Sequence, residues 1–177
     1  IEAKDSATYS HSERVTDLAL KLAARIGVKP DELEMLRFGA TLHDIGKIGV
    51  AEGFLDSREG PEETQVFYRM HPLIGRSILQ PISFLAPAVP IVVSHHERWD
   101  GTGFPEGRKG EEIPVLARVL AIVDRYERLI NPEGGDGGMS SAEALNTVVS
   151  EAGTRFDPRI VLAFRELARS GLADLPA

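Results

Sequence analysis

Five histidines and two aspartates in this chain stand where a helix would otherwise show its core-facing residues. His43 and Asp44 fall three and four residues after Ala40 and continue the stripe Leu33, Leu36, Ala40, so both are expected to point inward. His11 shares a stripe with Val15, Leu18 and Leu22, and His95 and His96 extend Ala88, Ile91 and Val92. His71 ends one helical segment at His71-Pro72, where the proline favours the first turn of the next. Asp124 lies on the face of Ala117, Leu120 and Ala121. An imidazole or carboxylate at a core position destabilises the fold unless it is hydrogen-bonded, paired or metal-bound. One shared metal site accounts for all seven.

The ligand types narrow the chemistry. Imidazole suits iron, zinc, copper and nickel, carboxylate suits harder ions, and no thiolate is present. Seven ligands exceed the four or so of one tetrahedral zinc, so two metals bridged by a carboxylate fit better, with Asp44 the natural bridge. Two divalent ions against two carboxylates and a hydroxide would keep about one positive charge, enough to draw a phosphodiester and bring a nucleophile to it. Lys47, one turn beyond His43, is placed to neutralise a phosphate oxygen or assist the departing one.

The elements that must carry these residues read as helices only. The first runs from about Thr8 to Arg25, and Pro30 and Asp31 start the second, which breaks at Gly46. A charged, glycine-containing loop, Glu52 to Gly60, leads to a helix from Pro61 to His71. Two apolar helices follow, Leu73 to Pro81 and Ala86 to Glu97. Asp100 to Pro114 carries too many glycines and prolines for regular structure and reads as a long ordered loop beside the metals, a substrate lid or a partner surface. After it come a helix from Val115 to Ile130, a break at Asn131 to Met139, a helix capped by Ser140 or Ser141, and a last one opened by Asp157-Pro158. The expectation is an all-α bundle of seven to eight helices without repeats.

Composition bounds what such a bundle does. With 177 residues, 42% of them hydrophobic, the chain suffices for a single domain, 1–177, with a sizeable core. Zero cysteines exclude disulfides and agree with a reducing cytoplasm. A net charge of −7 argues against nonspecific DNA or RNA binding. The longest apolar stretch, Ile78 to Val93, is broken by Gln80 and three prolines, so no membrane span is expected. The chain opens at Ile1, almost directly on the first motif helix, which suggests a domain excised from a longer protein.

Three motifs carry a resemblance. His43-Asp44-Ile45-Gly46-Lys47, His71-Pro72-Leu73-Ile74-Gly75 and the run from His95-His96-Glu97-Arg98 through Gly101-Thr102-Gly103-Phe104-Pro105 resemble the signatures of the HD-GYP family. This is a branch of the HD phosphohydrolases whose members hydrolyse the bacterial messenger cyclic di-GMP. The resemblance implies an HD-domain helical bundle and a phosphodiesterase yielding linear pGpG and/or GMP, with an HD phosphohydrolase acting on another nucleotide, or a weakly active metal-bearing domain that works by docking a cyclase, as the alternatives. It implies one metal on His11, His43, Asp44 and Asp124 and a second on Asp44, His71, His95 and His96. Iron or manganese is the family-like choice, with zinc or nickel as purified occupants. Ala7 replaces the glutamate that brings some members a third metal.

Asp44 and Lys47 are the residues expected to serve catalysis, and Lys47, Arg98, Arg108, Lys109 and Arg125 those expected to meet substrate. A cyclase of the GGDEF type is a candidate partner through loop 100–114, and a second copy of the chain is another. Two departures touch substrate grip. Phe104 stands for the family tyrosine, and Glu133, in an acidic, glycine-rich stretch, stands about where the family carries the first arginine of an Arg-Pro-Tyr-Arg-like segment. Without those guanidinium forks, cyclic di-GMP should bind loosely and Glu133→Arg should tighten it.

Overall fold

The stripes seen in the sequence become buried seams in the computed structural model, which describes residues 6–50, 62–132 and 137–170. Helix α1 (Ser6–Arg25) buries Val15, Leu18 and Leu22 against α2 (Pro30–Leu42), which contributes Leu36 and Ala40. Their partner is α6 (Val115–Ile130), whose inner face carries Ala117, Leu120 and Val123. Helices α7 (Ser141–Ser150) and α8 (Pro158–Arg169) close the main core, and Phe164 of α8 meets Tyr126 of α6 edge to face at 5.0 Å between ring centres. A smaller core lies around Leu79, Leu85, Val89, Val92 and Val93, contributed by α4 (His71–Leu79), α5 (Val89–Ser94) and the turn between them. Helix α3 (Glu62–Tyr68) precedes α4. Among the described residues there are eight α-helices and no strand, only an isolated bridge between Ala152 and Phe156.

Helix starts follow local chemistry. Ser140 caps α7 in a reciprocal pair: its hydroxyl accepts from the Glu143 amide at 3.3 Å while the Glu143 carboxylate accepts from the Ser140 amide at 3.0 Å. Asp157 caps α8 by accepting from the Arg159 amide at 2.9 Å.

Prolines move two boundaries away from the sequence expectation. His71 begins α4 instead of ending the helix before it, because Pro72 in the first turn gives up an amide that would have had no intrahelical partner. The expected helix Ala86 to Glu97 is divided, with a 3₁₀ turn at Ala86–Ala88, then α5 with Pro90 in its first turn and its end at Ser94. The second helix stops at Leu42, and the expected break at Gly46 lies within a 3₁₀ turn, Ile45–Gly49. The expected loop 52–60 lies outside the described residues.

The segment 100–114 is a loop with one 3₁₀ turn, Gly110–Glu112, and it is tied down from beneath. The buried Glu97 carboxylate accepts from the amides of Glu106 at 2.7 Å and Arg108 at 3.1 Å. The Trp99 and Asp100 amides donate to the carbonyls of Arg155 and Thr154 at 3.0 and 2.9 Å, joining the loop to the turn before α8. Gly103 has no room for a side chain, since a Cβ there would stand 2.3 Å from the Arg98 nitrogen.

Candidate metal centre

Five helices deliver the ligand-type side chains to one place. His11 comes from α1, His43 and Asp44 from the end of α2, His71 from the first position of α4, His95 and His96 from just past α5, and Asp124 from α6. Three of the imidazoles are aimed by the same device. The Nδ1 atoms of His43, His71 and His95 donate to the carbonyls of Ala40, Tyr68 and Val92, each three residues earlier and each at 2.7 Å. That fixes the proton on Nδ1 and leaves the Nε2 lone pair facing inward, which is the form a metal ligand needs.

The Nε2 atoms converge on Asp44. His71 and His95 stand 3.4 and 3.9 Å from its Oδ1, and His43 stands 3.4 Å from its Oδ2. Asp44, His71, His95 and His96 place one ligand atom each within 4.8 Å of one another, and so do His11, His43 and Asp44. Asp124 joins the second group, with Oδ1 3.1 Å from His11 Nε2 and 3.5 Å from His43 Nε2. The seven residues fall into two sets that share Asp44. His43 Nε2 and Asp44 Oδ1 are buried without any hydrogen-bond partner. Orphaned acceptors in a shell of this kind are costly by themselves, and a divalent cation at each set would satisfy them. The donors therefore fit two metals.

Electrostatics prepares the same outcome. Burial opposes ionisation of Asp44, but Lys47, His43 and Arg128 outweigh it and hold the carboxyl well below the usual range. Asp124 is likewise held well below, with Arg128 the largest favourable partner. Burial brings His71 down to about 4 and, with His43 nearby, His95 to about 3, while burial and His95 keep His96 well below its ordinary value. All three are neutral near pH 7, with lone pairs available. His11 differs. Burial would lower it, yet Asp124 and Glu127 raise it, and its two ring nitrogens face those two carboxylates.

Two cations border the ligands. Lys47 Nζ lies 2.8 Å from Asp44 Oδ2 and over the Tyr68 ring at 6.0 Å. Arg128, which the sequence reading passed over, donates from Nη2 to Asp44 Oδ2 at 2.7 Å and from Nε to Asp124 Oδ1 at 2.8 Å. The guanidinium thus clamps the two carboxylates to each other. Glu127, also passed over, holds His11 and Arg14. The available signal was spacing, because Glu127 and Arg128 follow Asp124 by three and four residues on a face already turned inward.

The other expected substrate contacts divide. Arg98 and Arg125 line cavities that reach the ligands His96 and Asp124, beside Phe104, which stacks on the His96 ring at 4.7 Å. Arg108 and Lys109 are absent from those walls. Arg108 turns back to Glu106 and to the Glu112 carbonyl, and the Lys109 amide donates to the Glu112 carboxylate. Glu133, on which the expectation of loose binding rests, lies outside the described residues. Arg69 and Arg155, not singled out from sequence, line the same space.

Comparison with known proteins agrees with this geometry. The model of the family described as HD domain matches residues 1–160. A cyclic di-GMP phosphodiesterase of Thermotoga maritima is 33% identical over 95% of this chain and 46% of its own length. A 3′3′-cGAMP-specific phosphodiesterase of Vibrio cholerae is 28% identical over 91% of this chain and 31% of its own. The chain spans less than half the length of either relative. Among solved structures, an HDGYP protein of Bdellovibrio bacteriovorus superposes with a TM-score of 0.75 at 25% identity, over 96% of this chain and 55% of that one. No helix among the described residues is long and apolar enough to cross a membrane.

Proposed function

The chain belongs to the HD domain family, in its HD-GYP branch, and from that premise we propose that it is a metal-dependent phosphodiesterase that opens a cyclic dinucleotide, cyclic di-GMP foremost, to linear pGpG and GMP. The observation that carries this reading is the pair of orphaned buried acceptors, His43 Nε2 and Asp44 Oδ1, among imidazoles kept neutral by burial. His11, His43, Asp44 and Asp124 would hold one metal and Asp44, His71, His95 and His96 the other, iron or manganese. When bound, such a pair supplies Lewis acidity toward the phosphodiester and a hydroxide nucleophile near neutral pH.

The protein's own groups do the rest. Arg128 keeps the Asp44 and Asp124 carboxylates at a fixed separation, so their oxygens need no reorganisation as charge develops. Lys47 sets an ammonium beside the shared carboxylate, where it stabilises the departing ribose oxygen or donates a proton to it. Phe104 stacks on His96 and lies under Arg69, so its ring can border a nucleobase at the cavity wall without the phenol of the family signature.

The likeness to the 3′3′-cGAMP-specific enzyme favours that dinucleotide as the second substrate. Turnover of manganese-loaded protein on cyclic di-GMP, 3′3′-cGAMP, cyclic di-AMP and mononucleotides tests the proposal. Cyclic di-GMP should be opened fastest, and Lys47→Ala should keep its metal and lose most of the turnover. Cleavage confined to mononucleotides would instead make the chain an HD phosphohydrolase of another class.

A further inference from the structure

A cavity of about 600 Å³ runs from the ligands His96 and Asp124 past Phe104, and four arginines line it: Arg69, Arg125, Arg128 and Arg155. In a chain of net charge −7 this concentration of guanidinium is out of proportion. Arg128 is committed to Asp44 and Asp124. Of the other three, Arg69 is exposed, while Arg125 and Arg155 are undercompensated. Arg125 donates from Nη2 to Glu151 Oε1 at 3.1 Å, while its buried Nε has no partner. Arg155 reaches the same oxygen only at 4.0 Å, so one carboxylate serves two guanidinium groups. Among the described residues Arg69 meets Gln65 at 2.9 Å and the Phe104 ring at 5.6 Å, both uncharged. Burial and the nearby Arg125 push Arg155 below its ordinary range, as expected where like charges are crowded.

Crowded cations on a cavity wall are tolerated when an anion completes them. We propose that Arg125 and Arg155, together with Arg69, form an anion subsite for the second phosphodiester of a cyclic dinucleotide whose first phosphodiester lies at the metal centre. The subsite rests on the phosphodiesterase reading above, and it does the work for which the stretch 131–138 carries no arginine. It also confers selectivity, because a single phosphodiester fills the metal centre and brings no second phosphate to these arginines.

The test compares cyclic di-GMP with bis(p-nitrophenyl) phosphate, which has one phosphodiester, on metal-loaded protein. In Arg125→Gln and Arg155→Gln the ratio of kcat/KM for cyclic di-GMP to that for the small diester should fall about ten- to a hundredfold. Glu151→Gln, which removes the shared counter-charge, should lower KM for cyclic di-GMP. A gain of that kind is not what a lost structural contact produces. An unchanged ratio in both arginine variants, or a parallel loss of both substrates, overturns the subsite. If the natural protein cleaves neither substrate, the phosphodiesterase reading fails. Calorimetry with cyclic di-GMP then decides the subsite alone: binding that Arg155→Gln weakens upholds it, and absence of binding overturns it.

Discussion

On the proposed reading, protons and metals would compete for the same nitrogens at the centre, and the seven side chains would not compete equally. His71 is brought down to about 4 and His95 to about 3, so neither takes a proton until the solution is strongly acidic. His11 is raised above its ordinary 6.5, so below that value a metal must displace a proton from it and loses up to tenfold in affinity per pH unit. Acidifying from pH 7.5 to 5.5 should therefore take the metal content from two per chain toward one. The ion on His11, His43 and Asp124 leaves, and the one on Asp44, His71, His95 and His96 stays. Elemental analysis after desalting at each pH checks this, and simultaneous loss of both ions would contradict it. That these seven side chains share one place was legible in the sequence because six of them interrupt an apolar stripe and His71 stands at a proline-marked helix boundary. Arg128 and Glu127 were not, since a charged residue on a helix is ordinarily solvated, and only the inward Asp124 one turn earlier gives their direction away.

Backbone approach, more than helix propensity, governs how the elements meet. The 3₁₀ turn Ile45–Gly49 lies against the start of α4 so closely that a Cβ on Gly46 would stand 1.9 Å from the His71 carbonyl oxygen and 2.6 Å from the Gly75 nitrogen. Both obstacles are backbone, which cannot swing aside as a side chain would. Gly46→Ala should then cost about 1–3 kcal/mol, a fall of roughly 2–12 °C in Tm for a domain of this size, and it should displace His71 from its metal. A variant with the natural Tm and full metal content would show that the two segments are not in register as described. Helix starts marked by Ser140, Asp157, Pro30 and Pro158 were legible because caps and first-turn prolines act locally. The ends around His71 and Ala86 were misread because a proline disfavours the helix before it and favours the helix after it, so a proline alone does not fix on which side the boundary falls.

Among the described residues the seven proposed ligands bridge two hydrophobic cores. His11 and Asp124 belong to helices of the main core, whereas His71, His95 and His96 flank the smaller one, and His43 and Asp44 sit where α2 passes between them. The all-helical class was readable from periodicity alone. The arginine-lined cavity was not, because Arg69, Arg125 and Arg155 lie far apart in the chain and meet only when α3, α6 and the turn before α8 are assembled. Since each core contributes ligands that the other lacks, a single ion leaves half the centre unformed, and chemistry should require both. The most direct test is the rate of cyclic di-GMP opening as manganese is titrated into metal-free protein, with bound metal counted at each point. The rate should stay near zero up to one ion per chain, rise to its full value at two, and vanish in Asp44→Ala at any loading. Full turnover at one ion, or in the chelated protein, would contradict a two-metal centre bridged by Asp44.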